Sequence, residues 1–352
     1  MTIDVSQLAV YGWSNFFQSQ LSTQEWQAAV PARVSAIHRS GLDLIGPDVS
    51  IRGARAHFDG NGEDITTVGD WLLLDTGSRQ PLRRLERTSL FKRRSPGTGR
   101  GIQLLAANVD TLFIVTSCND DFNIARLERY LAIARQADVT PLVVLTKADL
   151  VADATDMVAE TRSLSRDLLV ETVDSRDQAS VAVLQAWCGA GQTVALLGSS
   201  GVGKTTLVNT LLGDGDLATA EIREDDAKGR HTTTGRALHR LASGGWVIDT
   251  PGMRELQLAD AAEGLQDVFA DITKLAPSCR FADCGHTSEP GCAVRKAVEA
   301  DELDPDRLVR YRKLLREEAH NTETVHQRRA RGRQFGKMVR GIMAEKRRGE
   351  GD

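Results

Sequence analysis

The chain has 352 residues, 41% of them hydrophobic and 26% charged, with a formal net charge of -4. It is long enough for two or three domains with a real core, and no stretch approaches the run of about 20 apolar residues that a membrane span needs. The opening MTIDVSQLAVYGW lacks the basic, apolar and small-residue order of a signal peptide, so a cytoplasmic protein without membrane contact is expected.

Residues 1–30 read as a polar N-terminal arm with aromatic anchors at Trp13, Phe16, Phe17 and Trp26. From residue 31 the pattern changes to short Val, Ile and Leu runs punctuated by turns such as DGNGED, which predicts a small antiparallel barrel of OB-like type. A basic stretch follows: residues 79–100 hold eight Arg or Lys against one Glu and read as a linker or exposed loop. The expected first domain, 31–100, is this barrel plus the linker.

Strand-like and helical segments then alternate: 109–117, 123–137, 140–146, 154–166, 168–173, 178–188 and 192–198. Strands alternating with helices of this length imply right-handed crossovers and a mainly parallel sheet, a nucleotide-binding domain over 101–258. Past residue 260 the strand signal stops. Residues 259–352 predict a small helical domain, with Asp304 as an N-cap and Pro305 in the first turn of a helix, ending in a basic tail. Within that tail, residues 328–348 carry nine Arg or Lys against one Glu. Two basic blocks on a mildly acidic chain point to a polyanion partner, since clustered cations displace the counterions of phosphates; a solvated face is the plainer alternative.

The segment GSSGVGKTT comprises Gly198, Ser199, Ser200, Gly201, Val202, Gly203, Lys204, Thr205 and Thr206. It fits GxxxxGK[ST] between a strand and a helix, where backbone N–H groups can surround a β-phosphate. Lys204 would bridge the β- and γ-phosphates and the Thr205 hydroxyl would hold Mg²⁺. TKAD, made of Thr146, Lys147, Ala148 and Asp149, ends an upstream strand. A carboxylate there can accept from the N1–H and exocyclic amine of guanine, whereas adenine would leave it unpaired. The Lys147 stem can lie along the base. The usual form of this tetrapeptide has Asn in place of Thr146, which removes an orienting amide.

Downstream, Asp249 and Gly252 of DTPG suit Mg²⁺ and the γ-phosphate, and Thr233 of GRHTTT is the choice to complete the metal shell. Hydrolysis needs a group that orients water. Met253 stands where Ras-like enzymes have Gln, so His231 is the catalytic candidate beside Lys204 and Thr233. Without a Gln the unassisted rate should be slow, on the order of 10⁻⁴ to 10⁻² s⁻¹. Finally, Cys279, Cys284, His286 and Cys292 place three thiolates and an imidazole within fourteen residues. They suit one tetrahedral Zn²⁺ whose filled coordination makes it structural.

With TKAD ahead of GSSGVGKT, then GRHTTT and DTPG, then CRFADCGHTSEPGC, the order resembles a circularly permuted GTPase of the RsgA (YjeQ) family over residues 30–320. The resemblance implies GTP bound and hydrolysed to GDP, Mg²⁺, one structural Zn²⁺ and a monomer. It further implies turnover stimulated by the small ribosomal subunit, contact with its rRNA, and a role in late maturation of that subunit. It also supports His231 in the switch. The arm before residue 30 and the tail after 320 lie outside it. Two other readings stay open: an RNA-binding ribosome assembly factor with a structural nucleotide site and negligible turnover, and an ATP-using enzyme in which TKAD is fortuitous.

Overall fold

A computed structural model describes residues 4–38, 41–53, 65–94, 102–213, 236–249, 253, 256, 258 and 261–322. The chain divides into two compact units, residues 1–257 with 263–274 and residues 258–262 with 275–352. No described helix is long and apolar enough to cross a membrane.

The first unit is organised on one mixed sheet. Strands β1 (Ala29–Ile37), β2 (Leu42–Gly46), β3 (Val49–Gly53), β4 (Trp71–Asp75) and β5 (Pro81–Arg84) form its N-terminal part. All their pairings are antiparallel, as alternating burial in β2 would suggest. Among the described residues none of these pairings closes the five strands into a barrel. One edge of β1 is divided: Ala29–Arg33 pair with β4, while Ala36 and Ile37 pair with β12 (Arg236–Arg240) of the nucleotide-binding half. The expected separate barrel is thus joined to the larger sheet through a single nine-residue strand.

The stretch expected as linker is also structured. Besides β5 it supplies β6 (Leu90–Arg94), which pairs with β7 (Ile102–Ala107). Two of its arginines are paired with acidic side chains. Arg87 makes a two-pronged bond to Asp70, at 2.6 and 2.8 Å, and Asp70 is fully buried. Arg83 reaches Glu25 at 2.7 Å.

The arm folds as α1 (Val5–Ala9), α2 (Asn15–Gln18) and α3 (Thr23–Ala28). Ser22 and Glu25 form a reciprocal capping box that starts α3. Leu8, Trp13 and Phe17 are buried against Trp71, Leu73 and Leu85, with Trp13 edge-on to Trp71 at 4.9 Å. Beyond that cluster, the Trp246 indole donates to the Val10 carbonyl at 2.9 Å and Tyr11 stacks on Trp246. The arm is therefore part of the core.

Arg33 on β1 ties these pieces together although it is only 1% exposed. It donates to the carbonyls of Tyr11 at 2.6 Å, Asn108 at 3.1 Å and Gly69 at 3.4 Å, and to Thr193 Oγ1 at 2.9 Å. Burial pushes its guanidinium down to about 10, with Asp110 and Asp70 opposing, so it stays cationic at neutral pH. Arg33→Ala would take the guanidinium donor from the Tyr11 and Asn108 carbonyls and from Thr193 Oγ1, leaving the Gly69 carbonyl to its bond from Asn108 Nδ2. The expected loss is about 3–5 kcal/mol, read as a lower urea midpoint with an unchanged slope. A loss below about 1 kcal/mol would remove Arg33 from this role.

The nucleotide-binding half carries β8 (Thr111–Ser117), β9 (Thr140–Thr146), β10 (Leu169–Thr172), β11 (Thr193–Leu197) and β13 (Trp246–Asp249). Their order is β10-β9-β8-β11-β13, all parallel, with β12 antiparallel beside β13. β8 is buried along its whole length, the signature of a strand covered on both faces. Helix α4 (Ile124–Gln136) starts where the Asn123 side chain accepts from Arg126 N, and it buries Leu127, Leu131 and Ala134 at helical spacing. The segment expected as one helix over 178–188 is instead a turn of α6 (Gln178–Val181) and a 3-10 stretch, Ala182–Trp187. α5 (Thr155–Arg162), α7 (Lys204–Leu212), α8 (Ala262–Val268) and α9 (Ala270–Thr273) complete the helices of this region.

The described part of the second unit is helical: α10 (Ala293–Glu299) and α11 (Pro305–Thr322), the latter begun by Asp304, whose carboxylate accepts from Asp306 N at 2.9 Å. The basic block 328–348 lies outside the described residues.

Candidate nucleotide site and metal centre

Parallel strands bring the ends of β8, β9, β10, β11 and β13 to one edge of the sheet, the edge where open α/β sheets bind ligands. β11 runs into the Gly-rich loop and α7. At Gly198 a Cβ would sit 2.2 Å from the Val115 carbonyl oxygen, so only glycine lets the loop leave β11 against β8. Gly203 has φ +94°, a left-handed turn that aims the first N–H groups of α7 into the loop. Those N–H groups receive no side-chain cap, the arrangement that suits an anionic ligand. The Lys204 ammonium donates to the Gly198 carbonyl at 2.8 Å and to the Ser199 carbonyl, which keeps it at the mouth of the loop. Ser200, Gly201, Thr205 and Thr206 are exposed on the same rim, and Val202 is buried beneath it.

Thr146 at the end of β9 is fully buried, and its hydroxyl donates to the Val202 carbonyl at 2.5 Å and lies 3.1 Å from that of Thr116. Two segments 56 positions apart are thereby stitched together: the strand that delivers Lys147, Ala148 and Asp149, and the loop that delivers Lys204. A hydroxyl stands here in place of the amide that Asn would supply. Lys147 takes a left-handed φ of 57° and Ala148–Leu150 form a 3-10 turn, which turns Asp149 outward at the strand end.

Two features of this edge were not foreseen from sequence. The loop after β10 brings Ser175 and Arg176 alongside. A Cβ on Gly203 would lie 3.4 Å from Ser175 Oγ, a buried hydroxyl without a hydrogen-bond partner among the described residues, and Arg176 Nη2 donates to Asp149 Oδ2 at 2.6 Å. From α4, Arg126 bonds both carboxylate oxygens of Asp121 at 2.8 Å and also donates to Ser199 Oγ. The only signal in the sequence is position: Ser175 and Arg176 lie just past a predicted strand end, and Arg126 lies in the first turn of the helix that follows another.

Asp249 ends β13 beside β11, at the expected edge; its side chain, like His231, Thr233 and Gly252, lies outside the described residues. Met253 is 1% exposed.

In the second unit the ligand atoms of Cys279, Cys284, His286 and Cys292 all lie within 4.8 Å of one another. Cys279 Sγ is 3.7 Å from His286 Nδ1 and 3.9 Å from Cys292 Sγ, and His286 Nδ1 is 3.4 Å from Cys292 Sγ. Ligands about 2.3 Å from one tetrahedral ion would stand roughly 3.8 Å apart, so the cluster has the dimensions that zinc requires. Burial pushes the His286 imidazole below its ordinary value, keeping it neutral and able to coordinate. For Cys284 a hydrogen bond from the His286 backbone favours the thiolate, but burial and the neighbouring Cys292 and Cys279 thiols outweigh it and push it up to about 11. The Glu289 carboxylate accepts from the backbone N–H of Gly285, Thr287 and Ser288 at 2.7–3.0 Å and fixes the loop that presents His286.

The match to known proteins agrees with this geometry. A family model described as RsgA GTPase matches residues 84–259. The chain belongs to the RsgA GTPase family. It is therefore a GTPase. A relative from Mesorhizobium japonicum, named small ribosomal subunit biogenesis GTPase RsgA, is 53% identical over 329 residues, covering 92% of this chain and 93% of its own. One from Vibrio parahaemolyticus, named small ribosomal subunit biogenesis GTPase RsgA 2, is 49% identical over 338 residues, covering 96% and 93%. Among solved structures, YloQ, titled a circularly permuted GTPase, matches with a TM-score of 0.59 and 26% identity over 84% of this chain and 97% of its own. YjeQ from Thermotoga maritima shares the fold at a TM-score of 0.62 and 23% identity, over 82% and 98%.

Proposed function

We infer that this chain hydrolyses GTP as a switch in late maturation of the small ribosomal subunit, working as a cytoplasmic monomer. The observation that carries the reading is the Thr146 hydroxyl bonded to the Val202 carbonyl, because it puts a carboxylate suited to guanine and a lysine suited to phosphate on one short edge. The relatives' names, which assign them to small-subunit biogenesis, supply the partner.

In this reading Asp149 accepts from guanine, Lys147 covers the base, and residues 198–206 wrap the phosphates. Lys204 neutralises charge that builds on the β–γ bridge and the transferred phosphoryl group. Thr205, Thr233 and Asp249 are the residues that would hold Mg²⁺, which when bound shields the β- and γ-phosphate oxygens. Gly252 would face the γ-phosphate, and His231 would orient the attacking water. A buried Met253 is consistent with that duty falling elsewhere. The proposed division is an N-terminal arm (1–30), a strand-rich region of OB-like type (31–100), the GTPase domain (101–258) and a zinc-stapled domain with a basic tail (259–352). The first and last of the three domains, with their basic blocks, would grip rRNA by its phosphates and shape. In the permuted order DTPG leads almost directly into the zinc-stapled segment, so a γ-phosphate contact at Gly252 can bias the grip and hydrolysis can release it.

The deciding measurement is GTP turnover with and without purified small subunits. Stimulation of at least about tenfold is expected, given how slow unassisted switches are. Turnover that subunits leave unchanged would favour an assembly factor whose nucleotide is structural.

A further inference from the structure

The loop after β10 carries a guanidinium to the carboxylate assigned to the base. Arg176 Nη2 donates to Asp149 Oδ2 at 2.6 Å. Its Nε and Nη2 also reach Asp174 at 3.2 and 3.3 Å, and the same Asp174 carboxylate accepts from the Arg176 backbone N–H at 3.0 Å. Guanine offers a carboxylate an N1–H and an amine attached to one carbon. That is the donor array of a guanidinium, so the base and Arg176 present like chemistry to one acceptor.

We propose that Arg176 is an internal competitor for guanine, occupying Asp149 and yielding it when a guanine nucleotide binds. The inference rests on the reading of Asp149 as the base reader. Two observations favour a latch over a structural ion pair. The Arg176 side chain is 68% exposed, so its bond to Asp149 adds little to folding, whereas the Asp149 side chain is 26% exposed and sits just past the strand end. Asp174 also gives the guanidinium a place to remain after displacement, so yielding Asp149 forfeits one carboxylate contact and keeps the other. A binding-competent fraction below one raises the apparent dissociation constant in inverse proportion to that fraction. For an exposed pair the factor is about two- to fivefold, equal for GDP and GTP.

The test uses the full chain, GDP and xanthosine diphosphate as probes, and four proteins: the parent, Arg176→Ala, Asp149→Asn and the double variant. Asp149→Asn is expected to move preference from guanosine to xanthosine nucleotides. Arg176→Ala should tighten GDP about two- to fivefold, less so at high salt, and should leave xanthosine diphosphate affinity unchanged in the Asp149→Asn background. Unchanged or weaker GDP binding by Arg176→Ala overturns the proposal, as does equal tightening in both backgrounds. If Asp149→Asn fails to shift the preference, the base-reading assignment itself falls. If the preference shifts and Arg176→Ala does not tighten GDP, only the latch is lost.

Discussion

Lys204→Ala is expected to lower single-turnover GTP hydrolysis, measured with saturating small subunits, by about 10²–10³-fold. The ammonium is held by the carbonyls of Gly198 and Ser199 at the loop mouth, where its charge faces any phosphate that the loop surrounds. Negative charge on the phosphate oxygens shifts along the reaction, and a fixed cation that follows it acts mostly on the transition state. The fold should survive, because the side chain is only half-buried. An unchanged melting temperature with lost turnover is the expected pair of results. A drop of less than about tenfold would take Lys204 out of the phosphate grip.

Removing zinc, by chelation or through Cys292→Ser, should unfold the segment from Leu275 to Thr322 while the first unit stays folded. That unit is small. Its buried apolar set includes Val294, Ala297, Leu303, Leu308, Tyr311 and Leu314, too little to hold so short a segment by itself. Structural zinc sites supply an apparent ~10–16 kcal/mol, which would be folding free energy here. Cys292 also starts α10, its sulfur accepting from Arg295 N at 3.4 Å, so its loss frees both the metal and the helix start. Hydrogen exchange should show protection lost across residues 293–322 and kept in β8, β9 and β11. Protection retained without zinc would make the metal dispensable.

Much of the nucleotide-binding half was legible because its signals are local. Runs such as LFIVTS and LVVLT are buried on both faces and so read as unbroken apolar strands, and Leu127, Leu131 and Ala134 mark one helix face. The cluster of Cys279, Cys284, His286 and Cys292 was legible for the same reason, with four candidate metal ligands close in sequence. Where burial depends on distant partners the reading thinned out. Trp13 and Phe17 gave no periodic pattern, yet Trp71 and Leu73 bury them. Arg33 is of a residue type that is rarely buried, and only three carbonyls and the Thr193 hydroxyl, all from other segments, explain its place. Arg83 and Arg87 suggested a solvated linker until Glu25 and Asp70 were seen beside them.

For this protein the order of residues alone determined the chemistry on offer: a Gly-rich loop with Lys204, a carboxylate at Asp149, and three thiols with one imidazole at Cys279, Cys284, Cys292 and His286. Each is a matter of residue type and short spacing, which local geometry converts directly into function. Only the tertiary structure decided what meets what. It joined Thr146 to Val202 and set Arg176 on Asp149 across 27 positions. It also split the edge of β1 between β4 and β12, so the strands expected as a separate barrel became part of one sheet. Such pairings depend on how parallel strands stack and which edge is left over, and no window of neighbouring residues contains that information.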